Sequence, residues 1–122
     1  MPFKQNVMGS GIPAGAAQYI IGGTSVGLTA TGTGQSDAYA LQTSNSQFTT
    51  VAASTGAILP SFAQPGDVCR VYNNGANTLS VYPQTGGAIN NGATNAAFSV
   101  AANKSAQFVM LSATLWGSLL SA

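Results

Sequence analysis

Val68-Cys69-Arg70-Val71-Tyr72-Asn73, preceded by Pro65-Gly66-Asp67 and followed by Asn74-Gly75 and Leu79-Ser80-Val81-Tyr82, decides the fold class of this 122-residue chain. Both runs are rich in β-branched and aromatic residues that alternate with polar ones, the pattern of strands half buried in a sheet. Proline suits the second position of a type II turn and glycine the third, where φ is positive, so Pro65-Gly66 predicts a turn into the first run. Asn-Gly between two such runs is the strongest short-range hairpin signal. The second run is therefore expected to fold back antiparallel on the first.

The same punctuation continues in both directions. Upstream, residues 16–21 form a short strand candidate, residues 26–30 alternate, and the glycine-threonine stretch 29–34 reads as a loop or an edge strand. Residues 37–41 fit either a helical turn capped by Ser36-Asp37 or a strand, and the alternation of Tyr39 and Leu41 favours the strand. Phe48-Thr49-Thr50-Val51-Ala52 is strand-like, Ser54-Thr55-Gly56 supplies a turn, and Ala57-Ile58-Leu59 is stopped by Pro60. Downstream, residues 84–92 make a polar glycine-rich loop with one apolar plug, Ile89. Strands are expected at 97–100, 106–111 and 115–119, with Asn103-Lys104 turning between the first two.

Strands at roughly 8 to 12 residue spacing with turns between them indicate an all-β chain, a small antiparallel β-sandwich or barrel. Residues 16–122 are read as a single β-domain whose core comprises Val51, Val71, Leu79, Val81, Phe98, Phe108 and Trp116. In residues 106–111, Phe108 and Met110 point to one side and Val109 and Leu111 to the other. One side fills the core; the other is an interface or is itself covered.

Residues 1–15 show neither a helical nor a strand period and read as an extended N-terminal arm. Its apolar anchors Phe3, Met8 and Ile12, with Ile20 and Ile21 next, are the candidate contact residues to another protein surface or subunit. The first residues, Met1 to Val7, have no continuous apolar run of the secretory kind, and no apolar run approaches the roughly 20 residues of a membrane helix. Synthesis in a cytoplasm is expected.

Composition removes whole classes of function. Only 4% of residues are charged, against about 25% in an average soluble domain. Lys4, Arg70 and Lys104 cannot line a phosphate backbone or an anionic membrane, so neither nucleic acid nor membrane is an expected partner. With no histidine, a catalytic base would have to be Asp37 or Asp67, a lysine or the amino terminus, and both aspartates sit where turns need them. No catalytic residue, cofactor or metal site is expected, and Cys69 reads as a small buried hydrophobe. Arg70, on the opposite face, would pair with Asp67 or with a carboxylate on a partner, and the local pairing is favoured. Trp116, Tyr72 and Tyr82 beside Asn-Gly loops would suit a sugar, although aromatics on strands are more often core. No internal repeat of fixed period is legible.

The series Pro65-Gly66-Asp67, Val71-Tyr72-Asn73-Asn74-Gly75, Leu79-Ser80-Val81-Tyr82-Pro83 and Gly86-Gly87-Ala88-Ile89-Asn90, closing on Phe108 and Trp116, resembles small β-proteins among the virion genes of tailed bacteriophages, above all capsid decoration (cement) proteins. The resemblance covers about the C-terminal half, through turn and strand signatures rather than chemical motifs. It implies a β-sandwich or barrel subunit on the outer face of an icosahedral shell, commonly a homotrimer, that clamps neighbouring major capsid proteins without catalysis. Its product would be made in the host bacterial cytoplasm and end on the capsid surface of the virion. Similar β-domains occur in head and tail fibres, where they attach to a host receptor or glycan.

Overall fold

The structure is a computed structural model and describes residues 23–121. The arm at 1–15, the strand candidate at 16–21 and the contact residues Phe3, Met8, Ile12, Ile20 and Ile21 lie outside the described residues. Ten strands are present among the described residues: β1 (Thr24–Thr29), β2 (Tyr39–Ala40), β3 (Asn45–Thr50), β4 (Gly56–Ile58), β5 (Val68–Asn73), β6 (Leu79–Tyr82), β7 (Ala88–Ile89), β8 (Phe98–Val100), β9 (Lys104–Ser112) and β10 (Leu115–Leu120). The all-β expectation holds, and the strands fall close to where alternation placed them.

Their pairing departs from the expectation. From β1 to β9 successive strands alternate between two sheets, and β10 stays in the sheet of β9; one sheet is ordered β1-β3-β5-β9-β10-β7 and the other β2-β4-β6-β8. Within the first six strands every pair is parallel: β1 with β3, β3 with β5, β2 with β4 and β4 with β6. The chain thus winds as a short two-sheeted solenoid. Antiparallel pairs appear only where the winding stops, as β8 lies on β6, β9 on β5 and β10 on β9, while the short β7 joins β10 in parallel. The antiparallel reading is corrected accordingly: half of the strand pairs join parallel strands a full turn of the winding apart in sequence.

The cause is visible at Asn74-Gly75. Neither residue adopts the positive φ that a two-residue hairpin turn demands. The Asn74 N–H donates to Phe48 O at 2.8 Å, and a Cβ on Gly75 would meet Val51 at 2.6 Å. Glycine is needed here for close approach to the preceding turn of the solenoid, and the chain crosses to the other sheet. Pro65-Gly66, by contrast, behaves as read: Gly66 has φ 96° and the Asp67 N–H donates to Gln64 O at 2.9 Å, closing a type II turn.

One core fills the space between the sheets. Val51, Val71, Leu79, Val81, Phe108 and Trp116 are buried as expected, and Phe98 is half-buried, edge-on to Phe108 with ring centroids 5.5 Å apart. Phe48, Leu41 and Leu59 complete the large buried side chains. In β9 the alternation is regular, with Ala106, Phe108 and Met110 inward. Ile89 is buried, so the plug in the glycine-rich loop reaches the core through β7.

Asn73, at the end of β5, is fully buried and uses its whole amide. Its Nδ2 donates to Asn77 O at 2.9 Å and Val100 O at 2.8 Å, and its Oδ1 accepts from the Gly75 N–H at 2.9 Å. It ties the loop between β5 and β6 to the end of β8. Ser46 is the counter-example, a buried hydroxyl whose Oγ has no partner. Asn73→Ala is expected to lower unfolding free energy by about 3 kcal/mol, because three backbone groups lose their partners at about 1 kcal/mol or more each. Ser46→Ala removes an unsatisfied group and is expected to be neutral or stabilising by about 1 kcal/mol. Urea titration of the three proteins checks both; a costly Ser46→Ala or a silent Asn73→Ala would contradict this assignment.

Candidate functional site

The outward face of the six-stranded sheet carries the features that most resemble a binding surface. Strand alternation turns Cys69, Val71 and Asn73 of β5 inward and leaves Arg70 and Tyr72 outward. In β9 the outward set is Ser105, Gln107, Val109 and Leu111. Register then aligns them: Arg70 lies opposite Gln107, Gln107 opposite Leu119 of β10, and Tyr72 opposite Ser105. A groove of about 370 Å³ runs between these side chains, with Leu120 at its end.

The face is apolar and amide rather than charged. Leu119 is 70% exposed, Leu111 58% and Tyr72 39%. Leu111 lies over Gly117, where a Cβ would approach its Cδ1 to 3.2 Å, so the missing side chain lets this leucine lie flat. The Arg70 Nε donates to Gln107 Oε1 at 3.2 Å, and Gln47 Nε2 donates to Asn74 Oδ1 at 2.9 Å beside Tyr72. Arg70 therefore turns to a neutral amide across the strand pair, not to Asp67 as sequence reading favoured. On the outward side of β9, left open between interface and covered layer, Ser105, Gln107 and Val109 are half-buried and Leu111 is exposed.

Both carboxylates close loops. Asp37 Oδ1 accepts from the Thr33 N–H at 3.1 Å and the Gly34 N–H at 3.0 Å, tying the loop ahead of β2. The strand reading of residues 37–41 holds from Tyr39, whereas the capped helical turn does not form: the Asp37 carboxylate ties the loop that precedes it. Asp67 Oδ2 accepts from the Gln64 N–H at 2.8 Å. Among the described residues, no group of three or more His, Cys, Asp and Glu side chains could hold a metal ion. No helix of the described residues is long and apolar enough to cross a membrane. Trp116 is fully buried and donates from Nε1 to Gln84 Oε1 at 2.6 Å, so of the aromatics weighed for sugar stacking it is part of the core, whereas Tyr72 is open to solvent.

Such a face has no base, no paired carboxylates and one cation. It can bury a flat neutral partner with little desolvation of charge. No protein-family model matches the chain, and neither a curated protein nor a solved structure does. Gln107, Leu119 and Leu120 were not singled out from the sequence. Alternation fixes the side of each strand, but only the register of β9 against β5 and β10 brings these residues beside Arg70 and Tyr72.

Cys69 lies directly beneath this face, with its Sγ 3.9 Å from Thr43 O. Burial pushes its thiol up from 9.0 to about 12, against a smaller opposing pull from the Arg70 guanidinium. The folded chain therefore holds the neutral thiol. Its stabilising effect is complete below pH 9.0 and is lost as the pH rises toward about 12, because the unfolded chain releases the proton first. Native protein is expected not to react with a thiol reagent at pH 8 and to react fully in denaturant. Its melting temperature should fall through the alkaline window, and Cys69→Ala should flatten that fall. Rapid labelling of the native protein would contradict the assignment.

Proposed function

We propose that the protein is a structural component of a phage virion, a capsid decoration (cement) protein that binds the outer shell surface and bridges major capsid proteins. One observation carries the reading: the sparsely charged, partly apolar outward face formed by Tyr72, Gln107, Leu111 and Leu119, with Arg70 as its one cation, on a two-sheet unit. The resemblance of residues 65–116 to cement proteins supports it from an independent direction. The mechanism is adhesive. Area buried between flat surfaces holds neighbouring capsid subunits together, and the bound state is stabilised by mass action without any reaction.

In this reading the arm at 1–15, through Phe3, Met8 and Ile12, reaches the adjoining surface, and a homotrimer presents three copies of both elements. Exposure of Tyr72 among the amides of Gln47 and Gln107 favours a second reading. An aromatic face ringed by amides suits a glycan, as in a head or tail fibre attaching to a host receptor.

Sedimentation of the purified protein with empty shells of the same phage separates the two. Saturable co-sedimentation and a raised shell melting temperature are expected of a cement protein. Leu119→Asp should weaken shell binding by about tenfold or more, as for a central contact residue. Deletion of residues 1–13 should also weaken it. No binding to shells, together with binding to host glycans that Tyr72→Ala abolishes, would replace the cement reading with the fibre one.

A further inference from the structure

The tetrapeptide Asn-Asn-Gly-Ala occurs twice, at 73–76 at the end of β5 and at 90–93 directly after β7. An asparagine followed by glycine can lose its side-chain amide without an enzyme, because the deprotonated backbone nitrogen of the glycine attacks the asparagine Cγ and no Cβ hinders the ring that forms. The four residues are identical in the two copies. A difference between them in this reaction therefore comes from the fold.

Exposure of the asparagine does not separate the copies, since Asn74 and Asn91 are both exposed. The attacking nitrogen does. Gly75 is buried, its N–H donates to Oδ1 of the buried Asn73 at 2.9 Å, and Val51 would lie 2.6 Å from a Cβ built on it. Asn74 is itself held twice: its N–H donates to Phe48 O at 2.8 Å, and its Oδ1 accepts from Gln47 Nε2 at 2.9 Å. Bringing Gly75 N onto Asn74 Cγ would turn this peptide against Val51 and strip a partner from the buried Asn73 amide.

In the second copy the first asparagine faces elsewhere. Asn90 Nδ2 donates to Ser118 Oγ at 2.6 Å and its Oδ1 accepts from the Ser118 N–H at 3.0 Å, so neither atom holds the glycine. Gly92 is exposed, and its N–H donates to Ile89 O at 3.0 Å across a turn open to water. The Asn91 side chain bonds to no described residue. Freeing the Gly92 nitrogen costs one exposed hydrogen bond, which water replaces.

From this contrast we propose that Asn91 is a site of spontaneous deamidation in the native protein, while the fold protects Asn74. Gly92 gives its backbone proton to hydroxide and its nitrogen bonds to Asn91 Cγ; the Cγ–Nδ2 bond breaks, and the departing group takes a proton from water and leaves as ammonia. Water then adds to either carbonyl of the cyclic imide, leaving an aspartyl or isoaspartyl carboxylate at position 91. In a chain with three basic and two acidic residues, that carboxylate takes the net charge from +1 to zero. The inference stands whether or not the protein binds capsids.

The full chain held at pH 8, native and in guanidinium chloride, tests it, with mass analysis after chymotryptic cleavage, which at Tyr82 puts the two copies in separate peptides. Expected in the native protein is conversion at Asn91 at least about tenfold faster than at Asn74, the factor that roughly 1.4 kcal/mol of extra opening cost supplies. In denaturant the two rates should converge. Asn73→Ala, which frees the Gly75 N–H, should raise native conversion at Asn74 and leave that at Asn91 unchanged. Equal native rates at the two sites, an Asn91 that converts only in denaturant, a difference that persists in denaturant, or a silent Asn73→Ala would each overturn the proposal.

Discussion

A chain that winds between two sheets must leave its hydrogen-bonded ladders at every corner, and the backbone groups exposed there have to be satisfied within the protein. That constraint governs the structure. The corners are met by neutral side chains: Asn73 bonds three backbone groups, Asn77 Nδ2 donates to Val51 O at 2.8 Å, and Thr55 Oγ1 donates to Ala52 O at 2.7 Å. Gln35 Nε2 donates to Pro83 O at 2.8 Å, and Thr43 Oγ1 to Asn45 O at 2.8 Å. Amides supply donor and acceptor together and hydroxyls do the same over shorter reach. A composition with 4% charged residues is therefore suited to this winding, since amides and hydroxyls meet most of the polar demands of its corners.

The positions of strands were legible because alternation is a local property. Val68–Asn73 and Leu79–Tyr82 read correctly down to the residue. Their partners were not legible, because the two-fold alternation of a strand is identical in parallel and antiparallel sheets. Asn74-Gly75 then supplied a misleading local signal. In this sequence the glycine answers a steric demand from Val51, one turn of the winding earlier, and that demand exists only once the solenoid is wound. The repeat stayed hidden for a related reason. Successive turns run from Tyr39 to Ala57 and from Ala57 to Val81, so no fixed period exists, and what recurs is inward burial rather than residue identity.

The candidate site was legible in composition and illegible in arrangement. Scarcity of charge left catalysis, phosphate binding and metal binding out of the expected functions; the reading of Asp37 and Asp67 as turn residues is the part the structure meets, since both carboxylates accept from loop N–H groups. Alternation in residues 106–111 identified a side bearing Val109 and Leu111. It could not reveal that Arg70 would meet Gln107 there instead of Asp67, because that contact depends on the antiparallel register of β5 against β9. Local pairing is the natural expectation for a charge three residues away; a strand offset places the two side chains in different environments.

Neutrality also decides how such a face can hold a partner. Without opposite charges to steer or clamp, attraction comes from removing apolar and amide surface from water, which scales with area. Leu111, Leu119, Leu120 and Tyr72 on one chain form a modest patch, whereas a stable protein interface buries about 1,200 to 2,000 Å². In the proposed cement reading, a trimer would supply the missing area by repetition. Once one copy docks, the others bind at high effective concentration, so a weak neutral contact becomes a firm one. A shell offers the same surface many times at fixed spacing. On that kind of partner a small, sparsely charged β-subunit would gain from multivalency what it lacks in any single contact.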